Sequence, residues 1–142
     1  MARPRMKPPL ARRRERAAQD RATEAEVDRL TAMPSAALAV ELTEAFGSDG
    51  PRSSSLTRRT PNLIELTEWM LRDHARPGRH LMRLSGPVRD SMHLLEGAGL
   101  IEWYGSEMVG ARARLRATPL GELALAERTV ADYLKDEDDT AP

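Results

Sequence analysis

The sequence predicts a mainly α-helical protein with one small β-hairpin, and two patterns support this prediction. In several segments apolar residues recur at spacings of three and four, which is the repeat of the buried face of a helix. Further along the chain, two strand-like segments, residues 100–104 and 111–117, flank a six-residue connection with glycine at both ends. Strands joined by so short a connection pair with each other as a hairpin.

The first 59 residues predict an arm, a helical extension and a linker. Residues 1–16 contain three prolines and seven basic residues with little to bury, which predicts a disordered basic arm. Residues 17–46 predict a helical extension, in which Val27 and Leu30 anchor a weakly held helix and a short amphipathic helix follows. Residues 47–59 are rich in Gly, Ser and Pro and predict a flexible linker.

The main domain is predicted over residues 60–134 and starts with three helices. Thr60 is expected to cap the first helix, whose apolar stripe runs to about Ala75. Proline and glycine then turn the chain, and a short second helix ends at Leu84. A third helix covers residues 87–97, because proline favours its first turn and glycine its end.

A last helix and a charged tail follow the hairpin. Thr118 is expected to cap this helix, which runs to Leu134 with Leu120 and Leu123 in its apolar stripe. Residues 135–142 carry one basic and four acidic residues, which predicts an acidic disordered tail.

The second strand of the hairpin has arginine at every second position. Because successive strand residues point to opposite faces, Arg112, Arg114 and Arg116 share one face, while Ala113 and Leu115 share the other. A half-buried strand with a solvated arginine face explains this pattern, and so does a cationic surface for a polyanion.

Two segments resemble winged helix-turn-helix domains of bacterial regulators of the MarR and PadR kind. The segment VRDSMHLLEGAGLIEWYG resembles a recognition helix that runs into the first wing strand, and LRATPLGELAL resembles the exit from the wing. The resemblance covers about residues 61–134. It implies a winged helix-turn-helix with an N-terminal helical extension, and a function in transcription regulation through sequence-specific binding of double-stranded DNA.

The resemblance also implies which residues contact DNA. Helix 87–97 would enter the major groove, where Arg89 and His93 would read bases, since arginine donates two parallel hydrogen bonds to guanine O6 and N7. Wing residues 100–117 would contact the DNA backbone. The residues expected at the backbone are Arg79, Arg83, Arg112, Arg114 and Arg116, and Arg76 is a further candidate for the same clamp.

The distribution of charge keeps a second function open. Residues 61–134 carry nine basic and ten acidic residues, whereas DNA-binding domains are usually basic. Asp90 and Glu96 on the proposed reading helix would repel phosphate unless they are paired or face away. The alternative is therefore a winged-helix module that binds proteins and not DNA, which the fold alone does not distinguish.

Composition argues against several other classes. The chain has no cysteine, and the spacing of His74, His80 and His93 matches neither a metal site nor a catalytic triad, so we expect no enzyme, metal or cofactor. No apolar run is long enough to span a membrane, which predicts a cytoplasmic protein. Winged-helix regulators usually act as homodimers, and the helices at residues 36–46 and 119–134 either join two copies or cover the core of one. The sequence identifies no small-molecule effector.

Overall fold

The computed structural model describes residues 9–47, 50, 60–104 and 113–138, with only the backbone of residues 136–138. It is mainly helical with a small hairpin, as predicted. Within these residues the α-helices are α1 (Pro9–Ala32), α2 (Ser35–Leu42), α3 (Leu63–Met70), α4 (Leu81–Gly97), α5 (Pro119–Glu127) and α6 (Val130–Asp138). Short 3-10 turns follow α2 (Thr43–Phe46) and precede α4 (Pro77–His80), and the strands are β1 (Ile101–Tyr104) and β2 (Arg114–Ala117).

One hydrophobic core joins both halves of the chain. Val27 and Leu30 of α1, together with Leu38 of α2, are buried in the same cluster as Leu84 and Leu95 of α4. The predicted helical extension, residues 17–46, therefore shares its core with the predicted main domain. The segment between them, residues 47–59, is polar in composition. It does not separate two hydrophobic cores, because the residues on either side share one. Linker residues 48–49 and 51–59 lie outside the described part of the chain.

Helix α1 begins earlier than expected. The prediction of a disordered arm over residues 1–16 is wrong from Pro9 onward, where Ala, Arg and Glu, all strong helix formers, continue the helix. The C-terminal half of α1 is held by buried Thr23, Val27 and Leu30, and the Thr23 hydroxyl donates to the Ala75 carbonyl at 3.0 Å. Helix α6 likewise extends to Asp138, so the predicted acidic disordered tail starts as helix. Residues 1–8 and 139–142 lie outside the described residues.

The cap of α3 differs from the predicted one. Asn62, not Thr60, is the N-cap: its side-chain oxygen accepts from the Glu65 amide at 2.8 Å, and the Glu65 carboxylate accepts from the Asn62 amide at 3.3 Å. This reciprocal pair is a capping box. The helix ends at Met70, short of the predicted Ala75, and the Arg72 guanidinium donates to the Trp69 carbonyl at this end.

Helix α4 is a single helix where two were predicted. Gly86 and Pro87 were expected to separate them, and together they disfavour a helix by about 4 kcal/mol relative to alanine. Leu84, Val88 and Leu95 are fully buried on one continuous stripe of α4, and each contributes roughly 1.5–3 kcal/mol by burial. The combined burial exceeds the local cost, so the helix continues through the proline.

The hairpin is antiparallel and has a third, very short partner. Ile101 pairs with Ala117 and Trp103 with Leu115, while Asn62 forms an isolated bridge to Arg114 on the other edge of β2. The predicted alternation holds for the described part of the strand: Ala113 and Leu115 are buried, and Arg114 and Arg116 are partly exposed. Residues 105–112, including Arg112, lie outside the described residues.

The predicted last helix is divided into α5 and α6. Arg128 adopts a left-handed conformation with φ 58° and ends α5, and Thr118 caps it as expected by accepting from the Gly121 amide at 3.0 Å. The predicted apolar stripe is wrong at Leu120 and Leu123, which are exposed, whereas its other members Ala124, Val130 and Leu134 are buried. Gly121 is buried as well. Gly121 turns inward because its missing side chain lets α5 approach the backbone of Leu100.

Helix α2 packs its apolar face into the core. Leu38, Ala39 and Leu42 are buried, and the buried Ser91 hydroxyl of α4 donates to the Ser35 carbonyl at 3.0 Å. The helix at residues 36–46 was expected either to join two copies or to cover the core of one. This packing supports the second role.

Candidate nucleic-acid interface

The face of α4 opposite the core is exposed along the whole helix. Met82, Gly86, Arg89 and His93 follow one another at spacings of four, three and four, and all are exposed. These residues form the outer stripe of α4. Within the described part of the chain, no hydrogen bond or ion pair involves the side chain of Arg89 or His93. The structure therefore places both residues that were expected to read bases where a partner can reach them.

Only one of the two acidic residues expected beside them shares this exposure. Asp90 is exposed next to Arg89, but Glu96 is half-buried, and one of its carboxylate oxygens is buried without a hydrogen-bond partner among the described residues. Glu96 therefore lies away from the outer stripe, and Asp90 alone would oppose an approaching phosphate.

The arginines expected to clamp DNA near the start of α4 are paired with α1. Arg83 lies 2.6 Å from the Asp28 carboxylate, and the Asp20 carboxylate forms ion pairs with Arg76 at 2.9 Å and with Arg79 at 3.6 Å. These contacts hold α1 against the turn before α4 and the first turn of α4. No local sequence pattern indicates these contacts, because they depend on the packing of α1, which lies more than 50 residues away in the chain.

The described wing arginines are paired as well. Arg116 donates to Glu102 at 2.7 Å, and its guanidinium lies 5.0 Å from the centre of the Tyr104 ring. Arg114 donates to the Thr60 carbonyl at 2.9 Å and lies 3.5 Å from Glu65. Glu102 and Arg116 face each other in the strand register. The six-residue connection predicted from the sequence would instead pair Glu102 with Ala113, so the sequence prediction missed this contact.

The first half of α1 is the second exposed cationic surface. No residue from 9 to 22 is buried. Residues 9–19, here called the basic half of α1, hold four arginines and one acidic residue, Glu15. The four are Arg12, Arg13, Arg14 and Arg16, and their side chains form no ion pair with another described residue.

A separate charged cluster joins α1 to α2 on another side of the molecule. Arg29 donates to Glu26 at 3.0 Å and to Glu41 at 3.2 Å, and His74 lies 3.9 Å from Glu26. The hydrogen bond from Arg29 holds the pKa of Glu26 below its ordinary value, and the two carboxylates raise the pKa of Arg29. Each charge has an opposite partner, so this cluster links two helices.

The described residues contain no group of three His, Cys, Asp or Glu side chains arranged to hold a metal ion. Among the same residues, no helix combines the length and the apolar composition that crossing a membrane requires.

No protein-family model matches the chain, and no significant match exists among curated proteins or solved structures. The function must therefore be inferred from the geometry of the two exposed surfaces, the outer stripe of α4 and the basic half of α1.

Proposed function

We propose that the protein binds double-stranded DNA in a sequence-specific way and regulates transcription by occupying its site. The observation that carries this proposal is the outer stripe of α4, where Arg89 and His93 are exposed beside a two-stranded hairpin and have no hydrogen bond or ion pair with a described residue. The chain order also supports a winged helix-turn-helix: α2, a bridge at Asn62 to β2, α3, α4, then β1 and β2.

Helix α4 is proposed to lie in the major groove, which is about 12 Å wide and admits a helix. Arg89 would donate two hydrogen bonds to a guanine, a contact that discriminates bases by about 1–3 kcal/mol. His93 lies one turn further along, about 6 Å away, and would contact a base about two pairs from that guanine. The apolar stripe on the opposite face keeps this geometry fixed.

The wing, residues 100–117, is proposed to follow the DNA backbone with Arg112, Arg114 and Arg116. Arg79 and Arg83 would contribute from the start of α4. Each of these except Arg112, which is outside the described residues, already faces a carboxylate. Because such a pair is nearly neutral, we expect each to release fewer counterions from DNA than a free arginine does.

A homodimer is part of the proposal, since two-fold symmetry doubles the number of base pairs that are read. Leu120 and Leu123 on α5 remain 38% and 50% exposed, so α5 offers an apolar surface for a second copy. The expected target is then a palindrome with two half-sites.

The test is a selection of bound duplexes from a random library, followed by anisotropy titration with the selected site. Arg89→Gln should weaken binding to that site by about 5- to 150-fold and remove the preference for one base pair, as expected for a lost guanine contact of 1–3 kcal/mol. Lys135→Gln removes an exposed charge from α6 and should change neither the affinity for the selected site nor the base preference. Failure of the wild type to bind duplex DNA at low salt, or a base preference that survives Arg89→Gln, would overturn the proposal.

A protein-binding module is the alternative, and one observation favours it. Ile64 and Met82 are 42% and 93% exposed and line a shallow groove between α3 and α4 beside Arg89. An exposed apolar pair next to an arginine is typical of protein interfaces. This alternative becomes the stronger one if the wild type fails to bind duplex DNA in the titration above.

A further inference from the structure

We propose that the basic half of α1 is a second contact to DNA and binds the phosphate backbone next to the site read by α4. This inference rests on the proposed function. Its first support is charge: the four arginines against Glu15 give residues 9–19 a net charge of +3, while the chain as a whole is neutral. Free guanidinium groups on a helix surface are strong ligands for phosphate.

Exposure is the second support. The C-terminal half of α1 is anchored by Thr23, Val27 and Leu30, but within residues 9–22 only Ala11 and Asp20 are even half-buried. Described neighbours of the basic half are few, and the Arg76 guanidinium reaches it only at the Arg16 carbonyl, at 3.3 Å. Among the described residues, therefore, none pairs with these arginine side chains and no element buries this half of the helix.

Direction is the third support. Asp28 pairs with Arg83 in α4, and Asp20 pairs with Arg76 and Arg79 just before α4. Helix α1 is therefore parallel to the segment of residues 76–83. From Asp20 back to Pro9, α1 extends about 16 Å further at 1.5 Å per residue. The basic half therefore continues past the N-terminal end of α4. In helix-turn-helix proteins that end of the recognition helix contacts the base edges, so the basic half lies on the DNA side.

The lack of an apolar face argues for a phosphate partner over a lipid or helical one. Leu10 is the only large apolar residue between residues 9 and 22, and it is 60% exposed. A helix that lies in a membrane surface or pairs in a coiled coil needs an apolar stripe. Arg12 and Arg16 are one turn apart and repel each other, and phosphates would relieve this repulsion.

The test compares three full-length variants with the wild type on random duplex DNA over a range of salt concentrations. Arg12→Gln/Arg16→Gln removes two charges, and replacing Arg12, Arg13, Arg14 and Arg16 by Gln removes four, while glutamine retains helix propensity. The magnitude of the slope of the logarithm of the binding constant against the logarithm of salt concentration should decrease by about 1.8 in the double variant and by about 3.6 in the fourfold variant, since each lost phosphate contact contributes about 0.9. Arg128→Asn/Lys135→Gln removes two exposed charges at α5 and α6 and should leave the slope unchanged.

The outcomes separate this inference from the proposed function. If the wild type shows an Arg89-dependent base preference but the fourfold variant keeps the wild-type salt slope, the contact by α1 is overturned and the function stands. If the wild type binds no duplex DNA, both the proposed function and the contact by α1 are overturned. Vesicles of phosphatidylcholine with 30% phosphatidylserine should not bind; vesicle binding that the fourfold variant loses, with its DNA slope unchanged, would make α1 a membrane contact and overturn the inference.

Discussion

The arginines of this chain divide into those with a carboxylate partner and those without one. Arg29, Arg83 and Arg116 face carboxylates within hydrogen-bond distance, and so they fasten elements of the fold to one another. Arg89 and the arginines of the basic half of α1 have no such partner among the described residues. A guanidinium that faces a carboxylate has much of its positive charge compensated, so the second group attracts an anionic ligand more strongly.

Release of a paired wing arginine should strengthen DNA binding under the proposed function. Glu102→Gln removes the carboxylate that Arg116 faces, which leaves the guanidinium free for a phosphate. We expect DNA affinity to rise a few-fold and the salt slope to increase by about 0.9, as for one added phosphate contact. Glu127→Gln at the exposed end of α5 makes the same charge change as a control. An equal rise in both variants would mean that net charge, and not Arg116, is responsible.

The pKa of Glu26 makes a prediction about pH and stability. Arg29 lowers this pKa below its ordinary value of 4.5, so the folded state binds fewer protons than the unfolded state. The stabilisation is complete above pH 4.5 and is lost as pH falls through the folded-state pKa. Glu26→Gln should therefore reduce the free energy of unfolding at pH 7 by up to about 1 kcal/mol, and by much less at pH 3.

Urea denaturation at the two pH values measures this difference. Glu24→Gln, an exposed neighbour on α1 without an ion pair to a described residue, is the matched control and should change stability little at either pH. A loss for Glu26→Gln that is as large at pH 3 as at pH 7 would contradict a role for its charge.

At the scale of elements, the sequence patterns predicted those features that depend only on residues close together in the chain. The alternation of Ala113, Arg114 and Leu115 and the cap at Thr118 depend on neighbours in sequence, and both are present. The break expected at Pro87 is absent because packing against distant residues outweighs the local preference. The end of α5 was missed because Arg128, unlike glycine, gives no sequence signal for a left-handed residue.

Two glycines in helices should respond to the same substitution in opposite ways. A side chain at Gly86 would meet nothing within 4 Å, so Gly86→Ala should stabilise the fold by about 0.5–1 kcal/mol. A side chain at Gly121 would lie 1.9 Å from the Leu100 carbonyl oxygen, so Gly121→Ala should cost about 3 kcal/mol. Thermal and chemical denaturation measure both, and a Gly121→Ala protein as stable as the wild type would show that α5 does not approach the hairpin this closely.

Gly86→Ala also tests the proposed function, because Gly86 lies between Met82 and Arg89 on the outer stripe. The added methyl group would stand between α4 and the floor of the major groove. We expect a more stable protein that binds the selected DNA site several-fold more weakly. Unchanged affinity would indicate that α4 does not approach DNA at this position.

At the scale of the whole molecule, the sequence predicted the exposure of part of the candidate site. Helical spacing was enough to place Arg89 and His93 opposite the core. The partners of Arg79 and Arg83 were beyond reach, because a contact with α1 depends on the tertiary packing of a segment that composition had assigned to a separate extension. Composition also placed a boundary at residues 47–59, where the chain is polar but the core on either side is shared.

The shared core predicts that residues 60–142 do not fold alone. Without α1 and α2, the core loses Val27, Leu30, Leu38 and Leu42, whose burial contributes roughly 1.5–3 kcal/mol each. That loss is comparable to the whole stability of a typical domain, about 5–15 kcal/mol. The fragment should therefore unfold without a cooperative transition, whereas residues 17–142, which keep the anchored half of α1, should unfold cooperatively. Cooperative unfolding of the shorter fragment with the stability of the full chain would instead make residues 17–46 a dispensable extension, as composition had suggested.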